Sequence, residues 1–462
     1  MNGLARSNPM RSPHLMTYSH DGYGLGHLRR TSNIAAHFIE TAPESSVLMI
    51  TGCASGPPFL LPAGIDFIKI PSLVKVKAGA YTSPTLRIDR PTVQAVRSAM
   101  IQCATREFQP DIFLVDHLVA GIDGELLPTL RMLKARDDRP SIVLGLRDIL
   151  GEPAAIIAAW RKEKVYATLR QYYDEVLIYG CREIFDAALR YGISAEFPGK
   201  IRYCGYVRSE KPLRSPEQVR ADLRLQKDQL VVVTGGGGRD AYPLLHSCLD
   251  AFGAWGGTLP FAAVLIAGPL MPPAQRDHLR RRARTMGVDL LTYVEDTPSL
   301  IQAADLIVTM AGYNSLCEIL ALGKRALVVP RPGPSAEQRM RTRIFQERGW
   351  IEALAPGAAS AQALARTISA LLERTDRPRI TPALDTAGGA RVAAELAARV
   401  RPRTTLPSAL PVGAAASAGA REAALIFPWG RLPPHPRWAP HRSVALWRRG
   451  RGSRNILAAR PA

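Results

Sequence analysis

Lysine is scarce in this 462-residue chain: only 10 of the 60 basic residues are lysine, and the rest are arginine. The net charge of +20 is therefore weak support for a nucleic-acid partner, because an arginine bias of this kind follows codon composition. The excess is also uneven. Residues 401–462 hold 11 arginines against one acid, Glu422. Cysteine is sparse too. The six cysteines, at 53, 103, 181, 204, 248 and 317, include no C-x-x-C pair, so neither a zinc site nor a disulfide framework is indicated. Reduced, mostly buried thiols are expected. No apolar run approaches the length of a membrane span. The first 14 residues are basic without an apolar core, so no signal peptide is expected and the cytoplasm is the expected compartment. The charge outside the tail suits an anionic substrate or a peripheral contact with an anionic membrane face.

What the chain does contain is alternation. Over 15–210, apolar runs such as "LMTYS", "SVLMITG", "IDFIKI", "DIFLVDH", "SIVLGLRD", "DEVLIYG" and "IRYCGY" are separated by helical patterns. A second set follows a polar stretch: "QLVVVTGGGG", "FAAVLIAG", "VDLLTYVED", "ADLIVTMAG" and "RALVVPR". Both sets predict parallel sheets covered by helices. The expected layout is a Rossmann-like domain at 14–207, a linker at 208–218 and a second Rossmann-like domain at 219–400. Alanine-rich helices at 359–375 and 386–400 close the second. The tail, 401–462, has nine prolines and no sustained periodicity, and reads as disordered. Its Trp and Arg residues leave a membrane-surface contact as the other reading. Two doubly wound domains in tandem leave one obvious site, the cleft between the carboxyl ends of their sheets.

Three stretches carry chemistry. "GYGLGH" brings Gly22, Gly24, Gly26 and His27 to a strand-to-helix junction. Backbone N–H groups and the helix dipole favour an anion there. A dinucleotide site fits poorly. The spacing is G-x-G-x-G, and the next strand ends "MITGCASG" without the acid that a ribose needs. A purely structural turn stays open. "TGGGGRDAYPLL" holds Gly235, Gly236, Gly237 and Gly238, then Arg239, and reads as a phosphate or ribose cradle. "MAGYNSLCEILALGKRALVVPRPGPSAEQRMRT" places Gly312, Asn314, Ser315 and Glu318 at a helix start. Ser315 and Glu318 have capping-box spacing, which is the structural reading. The functional reading is a carboxylate facing the cleft and holding ribose hydroxyls. Gln338, at another strand end, can reach sugar hydroxyls as donor and acceptor.

Taken together, "GGGGRDA", "AGYNSLCEILALGKRALVVP" and "AEQ" resemble the C-terminal domain of family 28 glycosyltransferases, the MurG-like group. The resemblance covers about 15–395 and is strongest over 231–350. "GYGLGH" resembles the family's acceptor-side loop, and "GLGHLRR" with "LGLRDIL" resembles a bacterial branch of predicted glycosyltransferases. The resemblance implies a GT-B fold, with two facing Rossmann-like domains and a nucleotide sugar, usually a UDP sugar, in the second. Glu318 would hold the ribose. Ser315, Asn314 and Gly235 to Gly238 would face the diphosphate, and Gln338 the sugar. Two departures bear on the donor: Gly237–Gly238–Arg239 stands where the family usually has Ser or Thr, and Arg339 follows Gln338 where a second glutamine is frequent.

The implied reaction is transfer of a hexosyl or N-acetylhexosaminyl group to an acceptor hydroxyl, with inversion and, lacking a D-x-D motif, without metal or other cofactor. His27 is the candidate base or acceptor-positioner. Asp116 is its candidate orienting carboxylate, or a cap of the next helix. His117 competes with His27. Arg147 and Asp148 are expected at the cleft. The acceptor, lipid-linked, polysaccharide or small, is not specified. Two rivals share the fold: a nucleotide-sugar epimerase or hydrolase, for which Asp116 and Glu125 are the only candidate carboxylates, and a non-catalytic binding protein.

Overall fold

A computed structural model describes residues 12–400 apart from 21–24, 55–60, 78–79, 257, 334–335, 377, 379 and 381–383. The expected disorder of 401–462 and the positions of Gly22 and Gly24 lie outside the described residues.

The apolar runs of the first half become strands β1 (His14–Ser19), β2 (Ser46–Thr51) and β3 (Ile65–Lys69). Two short antiparallel strands, β4 (Val74–Lys77) and β5 (Ala80–Thr82), follow outside the apolar runs. Then come β6 (Ile112–Asp116), β7 (Ser141–Arg147), β8 (Glu175–Tyr179) and β9 (Ile201–Tyr203). Seven of these form one sheet in the order β3-β2-β1-β6-β7-β8-β9, with every pairing parallel. Central strands of such a sheet are covered on both faces, so they need unbroken apolar runs. β6 and β8 are buried at every position.

The second sheet has the same logic. Its strands are β10 (Leu230–Thr234), β11 (Ala262–Ile266), β12 (Asp289–Leu291), β13 (Leu306–Thr309), β14 (Arg325–Val328) and the two-residue β15 (Glu352–Ala353). Their order is β12-β11-β10-β13-β14-β15. This is the two-domain GT-B arrangement that the resemblance implied. All six cysteines are free thiols, and five are buried.

The end of the second domain departs from expectation. The helix Gly388–Ala397 does not stay with the second sheet; it packs on the first helix, Gly26–Thr41. Two glycines allow the close approach. A Cβ at Gly389 would stand 2.4 Å from Cδ2 of His37, and one at Gly388 would stand 2.5 Å from the Gly205 carbonyl oxygen. The Tyr206 amide donates to Asp385 O at 2.7 Å, and the Gly388 amide to Tyr206 O at 3.1 Å. Val392, Ala393 and Leu396 are buried in the core shared with Leu28, Ile34 and Phe38. Periodicity predicts an amphipathic helix here but carries no information on which sheet it covers. The linker is shorter than 208–218, because Ser215 and Gln218 form a capping box that starts a helix at Pro216.

This packing makes a stability prediction. Leu396→Ala should lower the unfolding free energy by about 2–5 kcal/mol in urea titration, the usual range for emptying a buried leucine site. A loss below about 0.5 kcal/mol would mean that the last helix is not part of the first domain's core.

Candidate active site

In each sheet the strand order reverses at one point, and the loops beyond that point form the crevice of a doubly wound domain. In the first sheet the reversal lies between β1 and β6, where Ser19 pairs with Asp116. In the second it lies between β10 and β13, where Thr234 pairs with Thr309. The hydroxyl of Thr309 donates to Thr234 O at 2.8 Å and ties that second pair of ends together.

At the first crevice the structure joins His27 to Asp116. His27 is the second residue of the first helix, and its Nδ1 lies 2.5 Å from Asp116 Oδ2. Asp116 ends β6, is fully buried, and caps no helix. It also accepts from Arg30 Nη2 at 2.9 Å on Oδ1 and 2.6 Å on Oδ2. Arg30 is one helical turn beyond His27, so both project from one face. Arg30 Nη2 also stands 2.9 Å from His27 Nδ1. Pairing with the Asp116 carboxylate favours the tautomer with the proton on Nδ1, which leaves the lone pair of the neutral ring on Nε2. Burial, then the charges of Arg30 and Arg147, hold His27 well below the ordinary imidazole value. The ring is therefore neutral at pH 7, in the form that accepts a proton.

Sequence reading left Arg30 without a role. Its i+3 spacing from His27 was visible, but its burial between two tyrosine rings was not. The guanidinium lies 5.5 Å from the ring centroids of Tyr179 and Tyr313.

At the second crevice, Gly235 to Gly238 follow β10. Two of the four answer to packing: a Cβ at Gly235 would stand 2.1 Å from Cβ of Ala241, and one at Gly238, where φ is +95°, 2.2 Å from Ala267 O. Gly236, also at positive φ, has open space, with Ser315 Oγ 4.0 Å from where its Cβ would be. Gly237 O accepts from the Leu270 amide at 2.9 Å. Arg239 is exposed. The helix Tyr313–Ala321 begins beside this loop and is capped by Gly312, without a side-chain cap. Neither Asn314 nor Ser315 caps it, and the Ser315–Glu318 capping box is absent. Asn314 and Ser315 lie inside the helix, because the chain turns helical three residues earlier than the Ser315–Glu318 pattern required.

The two crevices meet. Asn314 Nδ2 donates to Gly26 O at 3.0 Å. Arg29 Nη2 lies 3.1 Å from Glu318 Oε1. That is an ion pair without hydrogen-bond geometry, since Oε1 lacks a hydrogen-bond partner. Burial raises the Glu318 carboxyl above its usual value, and Arg29 and Arg208 oppose that. Arg147 Nη1 donates to Glu337 Oε1 at 2.5 Å across the same gap. Glu337, which sequence reading passed over for its neighbour, also accepts from Arg341 Nη1 at 3.0 Å. Burial alone would raise Glu337, but Arg147 and Arg341 bring it below the ordinary carboxylate value. Asp148 is buried, accepting from the hydroxyl of Tyr206 at 2.5 Å, with Arg341 3.7 Å away. Gln338 Oε1 accepts from the Arg331 amide at 2.9 Å and so shapes the loop before its helix. Arg331 pairs with Asp240, and Arg339 donates to Pro332 O.

Glu125 is not poised for acid–base work. It is fully buried, held by Arg97 Nε at 2.5 Å and Nη2 at 2.6 Å, and by the Tyr18 hydroxyl. No cluster among the described residues has the composition and geometry of a metal site.

The glycosyltransferase family 28 C-terminal domain matches residues 230–394. The UDP-N-acetylglucosamine–N-acetylmuramyl-(pentapeptide) pyrophosphoryl-undecaprenol N-acetylglucosamine transferase of Rubrobacter xylanophilus is 31% identical over 189 residues, 40% of this chain. The match spans about half, 53%, of that relative's length. Among solved structures, the calicheamicin glycosyltransferase CalG4 superposes with a TM-score of 0.53 at 15% identity, covering 84% of this chain and 98% of its own. A putative UDP-N-acetylglucosamine 2-epimerase from Listeria monocytogenes does so at 0.54 and 13%, covering 84% and 96%. Transferase and epimerase match equally well, so these two likenesses speak to fold alone.

The buried imidazoles set a pH prediction. Burial lowers His20, His27 and His117 well below the ordinary value. Below about pH 6.5 the unfolded chain protonates these rings and the folded chain does not, so stability falls as pH falls. Each ring contributes a slope of up to about 1.4 kcal/mol per pH unit in that window. His20→Gln should flatten the stability curve between about pH 6.5 and pH 5, as read by urea unfolding. Parallel curves for variant and wild type would show that His20 titrates normally.

Proposed function

By its second domain this chain belongs with the family 28, MurG-like glycosyltransferases, and from that premise we propose that it transfers a hexosyl or N-acetylhexosaminyl group from a nucleotide sugar to an acceptor hydroxyl. The observation that carries the reading is the meeting of the two crevices. The His27–Asp116 pair stands at one, and the Gly235–Gly238 loop with the Tyr313 helix start stands at the other, joined by Asn314 to Gly26 O. A base and a diphosphate cradle on opposite walls are what displacement at an anomeric carbon requires.

In the proposed reaction the acceptor oxygen bonds to the anomeric carbon as the bond to the diphosphate oxygen breaks. The hydroxyl proton passes to Nε2 of His27. Asp116 orients the ring through Nδ1 and stabilises the imidazolium as it forms. Charge developing on the leaving diphosphate meets the backbone N–H groups of the Tyr313 helix and of the glycine loop. Attack from the face opposite the leaving group inverts the centre. No metal is called on, because these dipoles and nearby arginines neutralise the diphosphate. Glu318 takes the ribose hydroxyls once Arg29 is displaced, and Gln338 meets the sugar.

By likeness to the Rubrobacter enzyme, the donor is a UDP sugar and a lipid-linked acceptor is the leading candidate. That would place the protein at the cytoplasmic membrane face as a peripheral partner. No helix among the described residues is long and apolar enough to cross a membrane. The epimerase reading is disfavoured by Glu125, which Arg97 and Tyr18 hold inside the fold.

Two variants test the assignment. Glu318→Gln should melt near wild type and bind UDP-N-acetylglucosamine, or whichever UDP sugar a calorimetric panel selects, about tenfold to a hundredfold more weakly. Unchanged donor affinity would remove the ribose role. His27→Ala should keep donor affinity and lose about a hundredfold or more in donor turnover. Turnover at the wild-type rate would reduce His27 to a helix-start residue.

A further inference from the structure

His27 does not stand alone. His20 and His117 surround it, with ring centroids 4.6 Å from His20 to His27, 5.4 Å from His27 to His117 and 5.7 Å from His20 to His117. The sheet register produces this cluster. Ser19 and Asp116 are paired at the carboxyl ends of β1 and β6, so the next residues, 20 and 117, leave the sheet side by side.

Two features remain after the catalytic pair is accounted for. His117 sits at φ +74°, and the Leu118 amide donates across it to Asp116 O at 3.0 Å. That is the pattern of a strained γ-turn, which is rare outside functional sites. The His117 amide is meanwhile bonded to Gly145 O at 2.9 Å, so the turn is held in place. Secondly, Nδ1 of His20 and Nδ1 of His117 are both buried without a hydrogen-bond partner among the described residues. Buried polar atoms are ordinarily paired, and two orphans beside one candidate base call for a ligand.

The geometry points to His20 and His117 as an acceptor subsite that grips hydroxyls neighbouring the one delivered to His27, which makes the acceptor's reacting unit a neutral polyol of the sugar class. This rests on the reading of the site as a centre of glycosyl transfer. A neutral imidazole offers one N–H and one lone pair, which matches a hydroxyl's ability both to accept and to donate. Burial and the nearby Arg147 charge keep both rings unprotonated, so they bring no positive charge to a phosphate or carboxylate. Arg147, whose charge bears on all three rings, is paired through Nη1 with Glu337. An acceptor with a lone hydroxyl on an apolar ring would leave both Nδ1 atoms unpaired and gain nothing from the cluster.

Saturation-transfer NMR on the full chain, with UDP present to fill the donor side, tests this with four probes: methyl β-glucoside, methyl N-acetyl-β-glucosaminide, cyclohexanol and glucose 1-phosphate. At least one methyl glycoside should bind in preference to cyclohexanol and glucose 1-phosphate. His117→Asn, chosen because asparagine tolerates positive φ, and His20→Gln should each weaken that glycoside about tenfold or more. Preference for glucose 1-phosphate or cyclohexanol, no glycoside binding, or unchanged glycoside affinity in a variant that melts normally would overturn the subsite. The wild-type selectivity decides the matter even if a variant fails to fold. Binding of UDP-N-acetylglucosamine, measured on the same protein preparations without UDP, separates the two readings. Donor binding without glycoside binding removes only the subsite, whereas a wild-type chain that binds no nucleotide sugar removes the proposed function.

Discussion

A carboxylate with no exposure to water is the interaction on which the rest depends. Asp116 at the end of β6 is desolvated, and a buried charge is tolerated only when paired and hydrogen-bonded. Arg30 provides the pairing through a fork to both oxygens, and His27 completes it. Arg30 needs its own surroundings, and the faces of Tyr179 and Tyr313 supply them. Tyr313 belongs to the second domain, and its hydroxyl donates to Tyr179 O and accepts from the Val207 amide. One chain of contacts therefore runs from the candidate base to the start of the helix proposed to face the diphosphate.

The same economy governs the contact between domains. Arg147 ends β7 of the first sheet and Glu337 starts the helix Glu337–Glu347 of the second domain, and both meet Arg341 or its partners, Arg341 also bonding Ala311 O. Buried ion pairs of this kind add little net stability but penalise misplacement, because removing one partner strands the other. Glu318 follows the same rule: Arg29 stands beside its carboxylate. The pairs that close the cleft and the residues proposed to bind the donor are in part the same atoms, so donor binding and cleft geometry are linked in this structure.

Much of the fold was legible. The twelve apolar runs quoted from the sequence all become strands, because a parallel sheet covered on both faces demands continuous apolar residues and little else does. The strands at 74–77 and 80–82 escaped notice because they are only four and three residues long and lie outside the large sheets. The last helix was assigned to the wrong domain because amphipathic periodicity gives a face, not a partner. In the candidate site, His27, Asp116, Glu318 and Gln338 were proposed from glycine turns, strand ends and family likeness. Glu337 was passed over for its neighbour Gln338, and Arg30 was visible only as charge.

The sequence by itself determined two doubly wound domains, two glycine turns at strand ends and the residue types able to move a proton and hold a ribose. These are local properties, written in periodicity and in turn chemistry. Only the tertiary structure decided which nitrogen of His27 carries its proton, that Ser315 and Glu318 form no cap, that two of the four glycines serve packing, and that three histidines share one crevice. Those outcomes depend on strand order and register, which bring residues about ninety positions apart to hydrogen-bond distance, and no local pattern encodes such a meeting.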